Sequence, residues 1–306
     1  MKPGFTRRRF LQASAAAATL APYTHAYLAA AQSDPVKKII PASGEKLSVI
    51  GLGTSRTFDV DPEQAAQSPL LEVMRAFFDN GGQLIDSSPM YGAAEAVSGA
   101  LLQALGKPAE LFSATKVWTY GKREGIEQMQ RSMQRLGVER IDLMQIHNLR
   151  DWQVQLETLR EWKAQGRIRY IGITTSHGRY HAELETILQS QQLDFVQFSY
   201  NIGNRDAEQR LLPIAHERGI ATLINRPYQR GSLFRMVKGR PLPDWAGEID
   251  CASWGQFFLK FIASHPDVTC IIPATSKLKH MVDNMAAGYG RMPDAALRKR
   301  MIEAIA

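Results

Sequence analysis

Eight short apolar segments alternate with longer stretches of mixed polarity along most of this chain, and this alternation limits the folds that it can adopt. The segments are four to seven residues long and rich in Ile, Val, Leu and Phe, as are strands buried on both faces of a sheet. We predict strands over residues 48–53, 83–86, 111–116, 141–147, 170–174, 195–199, 221–225 and 268–273. A Ser43-Gly44 turn between apolar runs adds a β-hairpin before the first of them. Eight strands alternating with helices predict an α/β fold of the (β/α)8, or TIM barrel, class.

The stretches between the predicted strands carry helical patterns. Apolar residues recur at three- and four-residue spacing at Trp152, Leu156, Leu159 and Trp162, and Gly166 ends this predicted helix. Further helices are predicted over residues 62–80, 207–218 and 254–264. No G-x-G-x-x-G motif opens a first helix, which argues against a doubly wound dinucleotide-binding sheet.

Residues 1–31 differ in composition from the rest of the chain. Arg7, Arg8 and Arg9 precede an alanine-rich stretch that ends with three alanines at residues 29–31. This pattern is typical of a twin-arginine (Tat) export signal with a small-residue cleavage site, although a disordered basic tail is an alternative. Its apolar part is shorter than the roughly 20 residues that cross a membrane. We therefore predict a signal peptide over 1–31, a barrel domain over 32–306, export by the Tat machinery, a periplasmic location and no transmembrane segment.

The composition argues against some classes of partner. With 44% hydrophobic and 22% charged residues, the chain is typical of globular proteins. Its formal net charge is +7, but four of the basic residues and none of the acidic residues lie in the first 31 positions. No basic stripe interleaved with aromatic residues is present, so we predict that the protein does not bind nucleic acid.

Four ionisable residues stand at or just after the ends of three successive predicted strands. Asp86 ends the strand over 83–86 and Tyr91 follows five residues later, while Lys116 and His147 end the next two strands. The carboxyl ends of the strands in a parallel barrel meet on one face, where catalytic groups collect. The sequence therefore predicts an active site made of these four side chains.

Short motifs occur in a fixed order over nearly all of residues 38–290. They are Gly51-Leu-Gly-Thr54, Asp86 with Tyr91-Gly92, Thr115-Lys116, Gln145-Ile-His147, Gly166-Arg-Ile-Arg-Tyr-Ile-Gly172, Val196-Gln197 with Tyr200-Asn201, and Ile272-Pro273 followed by Asp283-Asn284. Each motif alone is weak, but their order and spacing together resemble the aldo-keto reductase family. This resemblance implies a small-molecule aldehyde, ketone or alcohol as substrate and a nicotinamide nucleotide as cofactor.

The four residues suit carbonyl reduction, which needs a hydride on carbon and a proton on oxygen. Tyr91 can give the proton, but a free phenol has a pKa of about 10, and we expect the ammonium group of Lys116 to lower it. Asp86 would pair with Lys116, because a buried unpaired charge is costly. His147 would hydrogen-bond the substrate carbonyl and help to set the acid or base role of Tyr91.

The resemblance also implies residues that hold the nicotinamide and the pyrophosphate of the cofactor. Gly53 and Thr54 belong to the cofactor-binding positions. Others in this part of the site are Thr174, Thr175 and Gln197, which would bond the nicotinamide amide, and Gly231 and Leu233, which match the loop along the pyrophosphate.

The segment that begins at residue 272 resembles the adenosine end of the cofactor site. Ser276, Lys277 and His280 would hold the 2′-phosphate of NADP, because small polar residues and a helix N-terminus suit a phosphate. Asp283 and Asn284 would contact the adenine. We therefore favour NADP(H) over NAD(H).

Three positions depart from the pattern of the family. Thr174 and Thr175 stand where Ser-Asn is commoner, and Asn225 stands where a tyrosine commonly stacks on the nicotinamide. The loop that starts there, residues 225–253, is the one extended connection after a predicted strand. These departures leave open an alternative function, a non-catalytic nucleotide-binding barrel with a redox-sensing or regulatory role.

Overall fold

A computed structural model describes residues 34–305 of the chain, apart from the side chain of Arg179. The predicted export signal over 1–31 therefore lies outside the described residues. From Pro35 onward the chain forms one unit. None of its described helices is long and apolar enough to span a membrane.

Ten strands are present in the described part of the chain. They are β1 (Lys37–Ile39), β2 (Lys46–Ser48), β3 (Leu52–Gly53), β4 (Leu84–Asp86), β5 (Phe112–Val117), β6 (Ile141–Ile146), β7 (Ile168–Thr174), β8 (Phe195–Ser199), β9 (Ala221–Asn225) and β10 (Cys270–Ile271). Strands β3 to β10 form one parallel sheet in sequence order. Parallel bridges between Ile50 and Ile271 and between Gly53 and Ala274 bring its first and last strands together. The predicted (β/α)8 barrel is confirmed.

The helices occupy the connections between the strands. The α-helices are α1 (Leu70–Asp79), α2 (Ala94–Ala104), α3 (Lys122–Leu136), α4 (Trp152–Ala164), α5 (His181–Ser190), α6 (Leu211–Glu217), α7 (Ser232–Met236), α8 (Trp254–Ala263), α9 (Leu278–Ala286) and α10 (Ala295–Ile305). Short 3-10 helices cover Pro62–Gln67, His147–Leu149, Gly178–Tyr180, Asp206–Glu208, Gln229–Gly231 and Asp244–Ile249.

The predicted continuous helix over 62–80 is wrong. A 3-10 helix ends at Gln67, and α1 begins only at Leu70. Between them Ser68 has an extended backbone, with φ −82° and ψ 160°. The residue before a proline disfavours the helical region, and Ser68 precedes Pro69, so the chain cannot run through as one helix. The predicted helix over 207–218 is also divided, into the 3-10 helix Asp206–Glu208 and α6.

The predicted N-terminal hairpin is present and lies against the inside of the barrel. Strands β1 and β2 pair antiparallel, with Lys38 opposite Leu47. Ile40 and Leu47 are buried in one cluster with apolar residues that the barrel strands point inward, among them Phe112, Leu143 and Phe195. Ligands must therefore reach the barrel interior from the opposite end, where the strands have their carboxyl ends.

Candidate active site

A cavity of about 920 Å³ opens at the carboxyl ends of the strands, close to the upper end of the usual range for ligand pockets. Asp86, Tyr91 and His147 line it, and the fourth predicted catalytic residue, Lys116, is fully buried beneath them. The loop after β9 forms much of one wall. The structure thus brings the four predicted catalytic residues together, as expected for residues at the ends of β4, β5 and β6.

Asp86 and Lys116 form a buried ion pair. The Nζ atom of Lys116 donates to Asp86 Oδ2 at 2.6 Å and to the carbonyl oxygen of Ser87 at 2.7 Å. The other oxygen of Asp86 accepts from Gln145 Nε2 at 2.9 Å and from Gln197 Nε2 at 3.1 Å. Burial alone would lower the pKa of Lys116, but the charge of Asp86 opposes it and the pKa lies above its ordinary value. Lys116 is therefore a fixed positive charge.

Tyr91 lies beside this ion pair. Lys116 Nζ is 5.2 Å from the centre of the tyrosine ring. Burial raises the pKa of Tyr91, and the positive charge of Lys116 only partly opposes this, so the pKa lies above its ordinary value. The expectation that Lys116 would bring the pKa below that of a free phenol is wrong, because it neglected the cost of burying a phenolate. Tyr91 is therefore protonated at neutral pH.

His147 is held by a serine that sequence reasoning missed. Ser88 Oγ lies 2.9 Å from His147 Nδ1, and the backbone N–H of Met90 donates to the same oxygen at 3.3 Å. With Oγ already accepting from Met90, the hydroxyl hydrogen of Ser88 is available for His147 Nδ1. This arrangement favours the tautomer that carries its hydrogen on Nε2, which makes His147 a hydrogen-bond donor.

His147 is uncharged at neutral pH. Burial, together with the positive charges of Lys116 and Arg150, lowers its pKa to about 2. Its ring meets that of Tyr91 edge to face, with the centroids 5.8 Å apart. A neutral imidazole and a neutral phenol therefore face the same part of the cavity, and both can donate a hydrogen bond to one oxygen atom.

The lowered pKa of His147 predicts a loss of stability in acid. Below the ordinary pKa of 6.5 the unfolded chain binds a proton at this histidine, while the folded protein does not. The free energy of unfolding should therefore fall between pH 6.5 and about pH 4.5 by about 2 kcal/mol more in the wild type than in His147→Gln. Urea denaturation at the two pH values measures the difference, and equal losses in both proteins would contradict the assignment.

Seven of the predicted cofactor-binding residues line the cavity, namely Gly53, Thr54, Gln197, Gly231, His280, Asp283 and Asn284. The other five, Thr174, Thr175, Leu233, Ser276 and Lys277, are not part of its lining. Leu233 is buried in the apolar core, whereas Ser276 and Lys277 are exposed near the start of α9. The side chain of Thr174 accepts a hydrogen bond from the backbone of Asn148 at 3.3 Å.

Comparison with known proteins identifies the family. A profile of the aldo/keto reductase family matches residues 49–299. This chain belongs to the aldo/keto reductase family. It is thus an oxidoreductase that acts on carbonyl groups with a nicotinamide nucleotide.

Individual relatives are distant in sequence. The aldo-keto reductase YhdN of Bacillus subtilis is 29% identical over 209 residues, which are 63% of this chain and 62% of that protein. The methylglyoxal reductase YeaE of Escherichia coli is 26% identical over 256 residues, which cover 82% of this chain and 89% of YeaE. A crystal structure of an aldo-keto reductase from Klebsiella pneumoniae in complex with NADPH has a TM-score of 0.72 at 22% identity, covering 88% of this chain and 95% of that one. The last comparison shows a shared fold.

Asn225 stands where a tyrosine commonly stacks on the nicotinamide, and in this aldo/keto reductase its side chain makes hydrogen bonds within the barrel. The Asn225 side chain accepts from Ser199 Oγ and donates to the carbonyl oxygen of Thr175 at 2.9 Å. These bonds tie it to the ends of neighbouring strands. Tyr228, three residues later, lines the cavity and donates to Asn284 Oδ1 at 2.6 Å.

The polar groups of the site fit a nicotinamide nucleotide. Gln197 lines the cavity, and the bond from its nitrogen to Asp86 fixes the orientation of its amide, whose oxygen can accept from the carboxamide of a nicotinamide. Asp283 is fixed by Ser253 Oγ at 2.7 Å and Gln256 Nε2 at 2.8 Å. Among the described residues no group of three or more His, Cys, Asp or Glu side chains is placed to hold a metal ion.

Proposed function

We propose that this protein reduces small aldehydes or ketones with NADPH, and that Tyr91 is the proton donor. The observation that carries the proposal is the contact of Tyr91 with a lysine that Asp86 keeps charged, in a cavity also lined by a neutral histidine. The raised pKa of Tyr91 favours reduction, because the phenol holds the proton that the carbonyl oxygen must receive.

Each residue has a definite task in this reaction. When bound, NADPH supplies the hydride that the carbonyl carbon accepts. Tyr91 gives its phenolic proton to the carbonyl oxygen, so that the product is an alcohol. Lys116 stabilises the negative charge that develops on the tyrosine oxygen. His147, with its hydrogen on Nε2, donates a hydrogen bond to the same carbonyl oxygen and orients the substrate.

The start of α9 supports a preference for NADP(H) over NAD(H). Ser276 and Lys277 precede the helix, and His280 lies in its first turn. A helix N-terminus with a lysine suits a phosphate such as the 2′-phosphate of NADP. Burial and the neighbouring charges of Lys279 and Lys277 lower the pKa of His280, so His280 contributes a hydrogen bond and the lysines contribute the charge.

Turnover of an aldehyde tests the proposed activity. Methylglyoxal is a suitable first substrate because the relative YeaE is a methylglyoxal reductase. Steady consumption of NADPH over many turnovers is expected with the wild type and not with Tyr91→Phe.

The hydrogen bonds of Asn225 favour a second candidate, a nucleotide-binding barrel with a sensing role, because no tyrosine occupies the stacking position. Tight NADPH binding without turnover on a broad aldehyde panel would support this second function.

We further propose that residues 1–31 direct the folded protein to the periplasm by the Tat pathway. The support is Arg7-Arg8 followed by an alanine-rich stretch. Free NADPH is not expected outside the cytoplasm, so the nucleotide would be bound before export and would serve an oxidised and a reduced substrate in turn. Mass spectrometry of protein from the periplasmic fraction should show Gln32 as the first residue and NADP(H) as the bound nucleotide. A cytoplasmic protein that retains Met1 would contradict export.

A further inference from the structure

Ser87 and Ser88 contact three of the four predicted catalytic residues. The carbonyl oxygen of Ser87 accepts from Lys116 Nζ at 2.7 Å, and that of Ser88 accepts from the backbone N–H of Tyr91 at 3.0 Å. The hydroxyl group of Ser88 lies 2.9 Å from His147 Nδ1. The first two contacts use backbone oxygens, which any residue provides. The contact with His147 uses the side chain, so it depends on a serine at position 88.

The buried hydroxyl group of Ser88 has a limited choice of partners. Ser88 is 0% exposed, so water does not reach its side chain. Its Oγ atom accepts from the backbone N–H of Met90, and within residues 34–305 the acceptor for its own hydrogen is His147 Nδ1. If Nδ1 carried a hydrogen, the hydroxyl hydrogen of Ser88 would be buried without an acceptor, which costs free energy. Ser88 thus disfavours one of the two neutral tautomers of His147.

Packing restricts the orientation of the His147 ring but does not choose its tautomer. The imidazole contacts the rings of Tyr91 and Trp118, with centroids 5.8 Å and 6.4 Å away. These contacts are the same for both tautomers, because the tautomers differ only in which nitrogen carries the hydrogen. The hydrogen bond with Ser88 is the contact that distinguishes them.

The tautomer of His147 decides what Tyr91 can bond. Both side chains line the cavity, and their rings meet edge to face. Without a hydrogen on Nε2, His147 would present a lone pair to the cavity, and this lone pair would repel the oxygen of a substrate carbonyl. The phenol of Tyr91 could then donate to His147 instead of to the substrate. With the hydrogen on Nε2, both residues can donate to the same carbonyl oxygen.

We propose that Ser88 is a positioning residue for carbonyl reduction, because its hydroxyl group keeps the hydrogen of His147 on Nε2 and leaves the proton of Tyr91 for the substrate. This inference rests on the proposed reductase function. Ser88 is fully buried and does not line the cavity, so it acts through His147 and not on the substrate.

Nitrogen NMR of His147 tests the inference without substrate or turnover. A ring nitrogen that carries a hydrogen and one that does not differ widely in ¹⁵N chemical shift, and the signals of His147 are those that disappear in His147→Phe. The wild type at neutral pH should carry the hydrogen on Nε2. Ser88→Ala removes the hydroxyl group and keeps the backbone carbonyl, and it should show a mixture of both tautomers. A wild type with the hydrogen on Nδ1, or an unchanged tautomer in Ser88→Ala, would overturn the inference.

A double-mutant cycle tests whether Ser88 acts through His147. Ser88→Ala should lower kcat for methylglyoxal roughly 10-fold, as expected for the loss of one buried hydrogen bond. The Kd for NADPH, measured by fluorescence quenching, should be unchanged. His147→Phe keeps a ring but has no ring nitrogen, so adding Ser88→Ala to it should change kcat by less than about twofold. A merely structural role of Ser88 would instead give the same loss in both backgrounds, which would overturn the inference and leave the reductase function intact.

Ser113→Ala is the control for the loss of a buried serine hydroxyl. Ser113 is 4% exposed, its Oγ atom donates to Asp142 Oδ2 at 2.9 Å, and it does not line the cavity. The variant should therefore keep both the kcat of the wild type and the tautomer of His147. A loss of kcat in Ser113→Ala as large as that in Ser88→Ala would overturn the inference. Absence of turnover by a wild type that binds NADPH would refute the reductase function and this inference together.

Discussion

Replacing Tyr91 with phenylalanine is expected to lower kcat for aldehyde reduction by about 10²- to 10⁴-fold, the usual contribution of a positioned proton donor. The substitution removes the hydroxyl group and keeps the ring that packs near Lys116 and His147. Affinity for NADPH should remain, because the predicted cofactor-binding residues that line the cavity are unchanged. The loss should therefore appear in kcat and not in the Kd for NADPH.

Tyr120→Phe is the control for the loss of a tyrosine hydroxyl. Tyr120 is 65% exposed and does not line the cavity, so its variant should turn over aldehydes at the rate of the wild type. NADPH consumption under saturating aldehyde measures kcat, and fluorescence quenching measures the Kd. If Tyr91→Phe kept the activity of the wild type, another group would have to supply the proton, and the assignment of Tyr91 as the proton donor would be wrong.

Replacing Lys116 with methionine is expected to lower the free energy of unfolding by about 3–5 kcal/mol. The side chains of Lys116 and Asp86 are 0% and 2% exposed, and their charged atoms are 2.6 Å apart. Without the ammonium group, Asp86 would be a buried carboxylate that accepts from two uncharged glutamine amides. The double variant Lys116→Met/Asp86→Asn should be more stable than Lys116→Met, since it leaves no buried charge.

An exposed ion pair of the same length provides the control. Lys122 and Glu161 are also 2.6 Å apart, but their side chains are 50% and 48% exposed. Lys122→Met should therefore change the free energy of unfolding by only about 0–1 kcal/mol. Urea denaturation of the wild type and the three variants at neutral pH gives the comparison. Similar losses for the two lysine variants would mean that burial does not control the strength of the Asp86–Lys116 pair.

The barrel and the proximity of the four predicted catalytic residues could be predicted, because both follow from local sequence pattern. Strands buried on both faces stand out as apolar runs, and a parallel barrel brings their carboxyl ends to one face. Asp86, Lys116 and His147 end such runs, so their proximity followed from the fold. The break between the 3-10 helix and α1 is also indicated in the sequence, by Ser68-Pro69. The helical pattern over 62–80 nevertheless led to the prediction of one continuous helix.

The features of the site that could not be predicted depend on contacts between residues far apart in the sequence. The hydrogen bond of Gln145 to Asp86 joins residues 59 positions apart, and so does that of Ser88 to His147. The sequence features that could have pointed to these two contacts are Gln145 in the Gln145-Ile-His147 motif and the serines Ser87 and Ser88 beside Asp86. The raised pKa of Tyr91 could not be predicted, because burial of a phenol cannot be read from the residues next to it. The meeting of Arg56 and Arg226 at one cavity was missed for the same reason, since only the closure of the barrel brings them together.

The hydrogen bonds of Asp86 also relate the active site to the order in which the chain is synthesised. Its carboxylate binds side chains from β5, β6 and β8, which the ribosome makes up to 111 positions later in the chain. The charged network therefore cannot be complete while only the first half of the barrel has been synthesised. A chain that ends before Gln197 therefore lacks one of the three side chains that bond the Asp86 carboxylate.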